Sequence, residues 1–236
     1  MRKYRINAGS ETRIAWGLDS ATALTQFEET AGLAAAIRSI TEAMIAALAS
    51  RRALWIPLLV ARAILRIADF VADRTIRAFA YAVQTAEGGR RGPLFDSIFP
   101  DGLQEVVAPA GARQLPQTVS LLERLKNSVA RGAEEVRVEW LPKLESVVAR
   151  LQGAVADNER ASTAFHEAYA NERKVREEHA FAVDRLAGQV RAAFPRDRAL
   201  QDIVFPVPRR TKRTAGGEEG DTEETPEVTE SSVPQP

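Results

Sequence analysis

A chain of 236 residues with 45% hydrophobic content is long enough to bury a sizeable core, in one large domain or two small ones. Lys and Arg together number 32, as do Asp and Glu, so the whole chain has no net field with which to attract nucleic acid or an anionic membrane. Cysteine is absent, which excludes disulfides, thiolate metal sites and cysteine nucleophiles.

The opening MRKYRINAGSETRIAW carries charge without an apolar run. No secretory signal is therefore expected, a cytoplasmic location is the default, and the folded part is expected from about residue 10. A first helix is predicted from about Ser20 to Arg51, where Leu24, Phe27, Ala31, Ala34, Ile37, Met44, Ile45 and Leu48 recur at spacings of three and four. Thr25 and Glu28 stand at capping-box spacing near its start.

A second helix is predicted from about Leu54 to Glu87, ending in the breaker GGRRGP. Pro57 either occupies its first turn, after a turn at Ser50-Arg51-Arg52, or sits inside a longer helix that it kinks. Arg62, Arg66, Asp69, Asp73 and Arg77 fall within an arc of roughly 80° on a wheel at 100° per residue. The remaining circumference is largely apolar, more than one helical bundle would bury. Such a helix suits the centre of its own fold, a dimer interface or a membrane surface. Its four charges between residues 62 and 73 make a transmembrane span costly.

The third helix opens with Pro116 in its first turn, repeats the capping-box spacing at Ser120 and Glu123, and carries a stripe of Leu122, Leu125, Val129, Ala133, Val136 and Trp140. The fourth runs from about Lys143 to Ala193. Its apolar register is interrupted by Asn158, Ser162, Glu172, Arg176 and His179, which need buried partners unless the helix bends or its centre projects. After Pro208 the sequence RRTKRTAGGEEGDTEETPEVTESSVPQP lacks apolar periodicity, and residues 209–236 are expected to be a disordered, solubilising tail.

One phrase occurs twice. Phe99-Pro100 is followed by Leu103-Gln104-Glu105-Val106-Val107, and Phe194-Pro195 by Leu200-Gln201-Asp202-Ile203-Val204. Upstream of each stands a Trp-x-Pro, at Trp55 and Pro57 and again at Trp140 and Pro142. The residue before a proline is biased out of the helical region, so each Phe is expected to leave its helix and turn its ring back on to the bundle. The eight residues of the Trp-x-Pro and Phe-Pro elements, Trp55, Pro57, Phe99, Pro100, Trp140, Pro142, Phe194 and Pro195, are the candidate caps or interface.

Motifs for chemistry are lacking. His166 and His179 are the only histidines, and neither has a Glu three residues upstream, as carboxylate-bridged metal bundles require. Glu172, Arg176 and His179 share a face and read as a solvated or salt-bridged patch. Nucleophile-elbow, Walker and dinucleotide-binding patterns are absent. No catalytic residue, metal or cofactor is expected. The sequence thus predicts an all-α, elongated four-helix bundle built from two tandem helical hairpins related by a pseudo-two-fold. It occupies one domain, residues 1–208, with repeat 1 at about 18–110 and repeat 2 at about 114–208. The expected function is that of a non-enzymatic scaffold or protein-interaction module. Its expected partner is a second copy, bound through the apolar second helix, or another helical protein. Nucleic acid is not expected, and membrane-surface binding is the alternative.

Overall fold

In a computed structural model of the chain, residues 3–205 are described, and every regular element among them is helical. The predicted tail at 209–236 lies outside the described residues. The elements are α1 (Ser10–Leu24), α2 (Glu28–Ala31), α3 (Ala34–Ala86), α4 (Pro93–Ile98), α5 (Leu103–Val107), a 3-10 turn at Gly111–Arg113, α6 (Gln114–Asn127), α7 (Ala133–Ala193) and α8 (Arg198–Val204). The chain divides into two compact units, a terminal one comprising Met1–Leu48 with Arg173–Pro236 and a central one comprising Ala49–Glu172. The helices α3 and α7 contribute to both.

The first two predicted helices are one. No turn forms at Ser50-Arg51-Arg52, because nothing there breaks a helix and Arg51 is held by an ion pair with the buried Glu172. Pro57 lies inside α3 and Pro142 inside α7. Each lacks the N–H that would bond four residues back, at Ala53 and Val138. Both of those residues are exposed, so neither freed carbonyl belongs to a buried residue. Among the described residues there are accordingly two long helices rather than four.

The other departures have local causes. Thr25 closes α1 instead of opening a helix, donating its hydroxyl to Thr22 O at 2.7 Å, and α2 starts after an extended Phe27 with no side-chain cap. The third predicted helix ends at Asn127, because Ser128 is extended and Gly132 takes φ +84°, a region that favours glycine. Val129 is therefore fully exposed rather than part of a buried stripe, and Trp140 belongs to α7. Ser120 and Glu123 fall within α6, past its first turn. The fold also begins earlier than residue 10, since Tyr4 is buried.

In the terminal unit, Trp16 and Leu24 of α1, Ile37 of α3, Val183, Leu186 and Val190 of α7 and Val204 of α8 form one core with Tyr4, Phe194 and Phe205. In the central unit, α3 supplies Ala68, Ala72, Ile76, Phe79 and Val83, α6 supplies Leu121 and Leu125, and α7 supplies Leu144, Leu151 and Val155. Arg51 meets Glu172 and Phe79 meets Trp140, so α3 and α7 run antiparallel there. Leu94, Phe95 and Phe99 close that core from α4 and the residue after it.

Glu87 positions this closure. Its carboxylate accepts the backbone N–H groups of Gly92 at 3.0 Å, Leu94 at 2.7 Å and Phe95 at 3.1 Å, which are unpaired donors at the start of α4. Glu87→Ala is expected to lower the unfolding free energy in a urea titration by about 1–2 kcal/mol. The exposed Glu123→Ala is expected to change it by less than about 0.5 kcal/mol.

Candidate interaction surface

Within the central unit α3 has two apolar faces. At 100° per residue, the buried Leu58, Ala61, Ala68, Ala72, Ile76 and Phe79 occupy one arc, turned toward the core. About 160° away lie Ile56, Val60, Ile67, Phe70 and Tyr81, all exposed, with Trp55, Leu59 and Ile64 on the flanks. From Trp55 to Phe70 these side chains are 42–64% exposed, which is far more than scattered surface hydrophobes explain.

The polar arc that separates the faces is divided in its use. Asp69 Oδ1 accepts the backbone N–H of Gly111 at 2.8 Å, and Asp73 Oδ1 accepts the side-chain amide of Gln114. Burial raises both carboxyls above the usual carboxylate range. The two acids thus dock the connection that leads into α6. They are the only acids on α3 from residue 49 onward, while Arg52, Arg62, Arg66, Arg74 and Arg77 all remain exposed. The fully exposed charged residues of this part of α3 are therefore all arginines, with Asp73 close enough to Arg77 to feel its charge.

The eight candidate cap or interface residues fall into unequal places. Phe99 is buried against Phe95 and Phe79, with ring centroids 4.9 and 5.7 Å away, and Phe194 is buried edge-on to Phe27 at 5.8 Å. Pro100 and Pro195 beside them are exposed. In the helices that follow, Val107 and Val204 are both buried, whereas Val106 is buried and its counterpart Ile203 is exposed. The Trp-x-Pro elements differ more. Trp140, half-buried near the start of α7, lies 5.6 Å from the Phe79 ring; Trp55 stands well inside α3 and is exposed; Pro57 and Pro142 are exposed.

The polar residues of α7 are salt-bridged and hydrogen-bonded rather than solvated. Glu172 is buried and paired with Arg51, and Arg176 donates to Ser10 Oγ at 2.7 Å. His179 is fully buried in the terminal unit, 2.7 Å from Tyr4 Oη through Nδ1 and 3.3 Å from Thr41 Oγ1 through Nε2. Thr41 gives its one hydrogen to Ile37 O at 2.7 Å, so Nε2–H donates to Thr41 and Nδ1 accepts from Tyr4. Arg13 lies over the Tyr4 ring, donates to its hydroxyl and ties down the carbonyls of Ile6, Ala8 and Arg176. Only glycine fits beside this cluster at position 17, where an added Cβ would stand 2.2 Å from Thr41 Oγ1. The arrangement locks α1 and the N-terminal segment on to α3 and α7.

Elsewhere the chemistry is sparse. A recess of about 430 Å³ between the start of α3 and the end of α7 is lined by Leu33, Ile37, Phe181, Arg185 and Leu186, without an acid or a nucleophile among them. No group of three or more His, Cys, Asp or Glu among the described residues is placed to hold a metal ion. The exposed face of α3 is the most developed surface feature. No known protein family, curated protein or solved structure matches the chain.

Burial, then the Arg13 charge, lower the His179 pKa from 6.5 to about 4. Between those values the unfolded chain binds a proton that the folded chain refuses, so this contribution to stability is complete above pH 6.5 and is lost as pH falls toward 4. The loss at pH 5 is on the order of 2 kcal/mol relative to pH 7.5. Urea titrations of the native chain and of His179→Gln at the two pH values are expected to differ in pH dependence by that amount, the carboxyls being common to both.

Proposed function

We propose that the chain is a non-enzymatic helical scaffold that works by self-association through the outward face of α3. The observation that carries this reading is the continuous apolar arc from Trp55 to Phe70, opposite the face with which α3 builds its own core. A helix needs one such stripe to fold and a second only to meet something else. A cytoplasmic location belongs to the same proposal. In the same reading the chain is a tandem duplication. The order short helix, long helix, Phe-Pro and a short helix bearing Leu-Gln-acid-aliphatic-Val occurs as α1, α3 and α5 and again as α6, α7 and α8, with α2 and α4 as additions to the first copy. A pseudo-two-fold bundle is the architecture this duplication would produce.

The exposed arginines of α3 from residue 52 to 77 favour a second reading, an anionic membrane surface, since amphipathic membrane helices combine such charge with Trp and Phe. No helix among the described residues is long and apolar enough to cross a membrane, so that reading is confined to the interface plane. Light scattering separates the two. The full chain at tens of micromolar is expected to show twice its 25.8 kDa mass, and Ile67→Glu/Phe70→Glu to show the single mass with unchanged helical circular dichroism. A native chain that stays single while co-sedimenting with anionic vesicles would replace self-association by the membrane reading.

A further inference from the structure

Resting on that reading, we infer the geometry of the assembly: α3 pairs with α3 of a second copy, antiparallel, about a two-fold axis near Ala63 and Ile64. The area fits a second copy. From fractional exposures, the apolar side chains between Trp55 and Phe70 present roughly 800 Å² to solvent, which is about what one partner contributes to a stable interface. A patch of that size exceeds the roughly 300–600 Å² typical of the largest on a monomer.

The pattern along the stripe is self-complementary when it is reversed. An antiparallel pair centred between Ala63 and Ile64 sets Val60 against Ile67, Ile56 against Val71 and Ala63 against Ile64 of the other copy. A two-fold interface requires this property, because each patch must match itself. Ala63 lies at the middle of the outward arc, where a small residue lets two helices approach to about 8–10 Å. Toward the ends, large side chains fill the space that opens as the helices diverge.

Charge selects the direction. In a parallel, in-register pair, Arg66 would lie beside Arg66 and Arg74 beside Arg74, with α3 offering no exposed acid from residue 49 onward to relieve either. Reversed about residues 63 and 64, Arg74 falls level with Ala53 of the other copy, and Arg66 and Arg62 fall level with Ala61 and Leu65, which face inward to the core of their own unit. No arginine then stands level with an arginine, and the stem of Arg74 can lie over Ala53 while its guanidinium group remains in water. The helix dipoles are opposed as well, which is favourable for neighbours. Arg74 also disfavours the membrane, because it lies within the apolar arc rather than at its edge and would be drawn in with Phe70.

A chain without cysteine allows a direct test. Ala63→Cys is placed almost on the axis. Ala78→Cys is exposed on the same arc but fifteen residues away, so its two copies would stand about 45 Å apart. A disulfide needs Cβ atoms about 3.5–4.5 Å apart. Under mild oxidation at tens of micromolar, Ala63→Cys is expected to run mainly as a covalent dimer on a non-reducing gel and Ala78→Cys to remain a monomer. Circular dichroism establishes that both are folded, and light scattering that both associate. A covalent dimer from both variants would show a parallel pair and overturn the geometry. Association without a covalent dimer of Ala63→Cys would move the axis and overturn it too. A single-chain mass for both variants and the native chain would instead remove the self-association on which the geometry rests.

Discussion

Between Leu58 and Phe79, α3 meets opposite demands on its two sides. Leu58, Ala61, Ala68, Ala72, Ile76 and Phe79 are all buried, and from Ala68 to Phe79 they share one core with α6 and α7. Ile56, Val60, Ile67 and Phe70 on the outward side are as apolar, yet they remain exposed. Exposing several large apolar side chains forfeits about 1.5–3 kcal/mol for each that could have been buried. The neighbouring α7 carries Asp157, Glu159, Arg160 and Glu167 outward over a comparable stretch. The difference between the two helices locates the unmet demand on one of them.

The polar groups play a supporting role, each holding a connection where it must be. Asp69 and Asp73 receive the 3-10 turn and the start of α6, and Glu87 receives the start of α4. In the terminal unit Arg13 gathers three carbonyls while the neutral His179 links Tyr4 to Thr41. Buried polar groups are costly when they lack partners, so such contacts discriminate strongly against displaced arrangements. Using Asp69 and Asp73 inward has a further effect: from residue 49 onward it leaves arginines as the fully exposed charges of α3. The packing of α6 thereby shapes the charge of the outward face.

Much of this was readable from residue pattern alone, and the exceptions are physical. The excess apolar arc of α3 and the end of that helix at the GGRRGP breaker followed from periodicity and from glycine. The continuity of α3 did not. Proline permits either a helix start or an interior kink, and the choice depends on tertiary contacts such as Arg51 with Glu172 and on the exposure of Ala53, whose carbonyl loses its helical donor. Val129 was misplaced because its spacing fitted a stripe that Ser128 and Gly132 interrupt. Tyr4 and His179 lie 175 residues apart, and no local spacing signals that they meet. Gly17 in the middle of α1 was the one available clue, since glycine inside a helix often marks a close approach. The two Trp-x-Pro elements looked equivalent in sequence, but Trp55 is exposed well inside α3 whereas Trp140 packs against Phe79.

Hydroxyl-radical footprinting of the native chain, read by mass spectrometry at two protein concentrations, tests most directly whether a second copy covers α3. At nanomolar concentration Trp55, Ile67 and Phe70 are expected to label as strongly as the exposed Phe181 of the terminal unit. At tens of micromolar the three α3 residues are expected to become protected while Phe181 is unchanged. Equal labelling of the α3 residues at both concentrations, with the chain remaining a monomer throughout, would contradict the account.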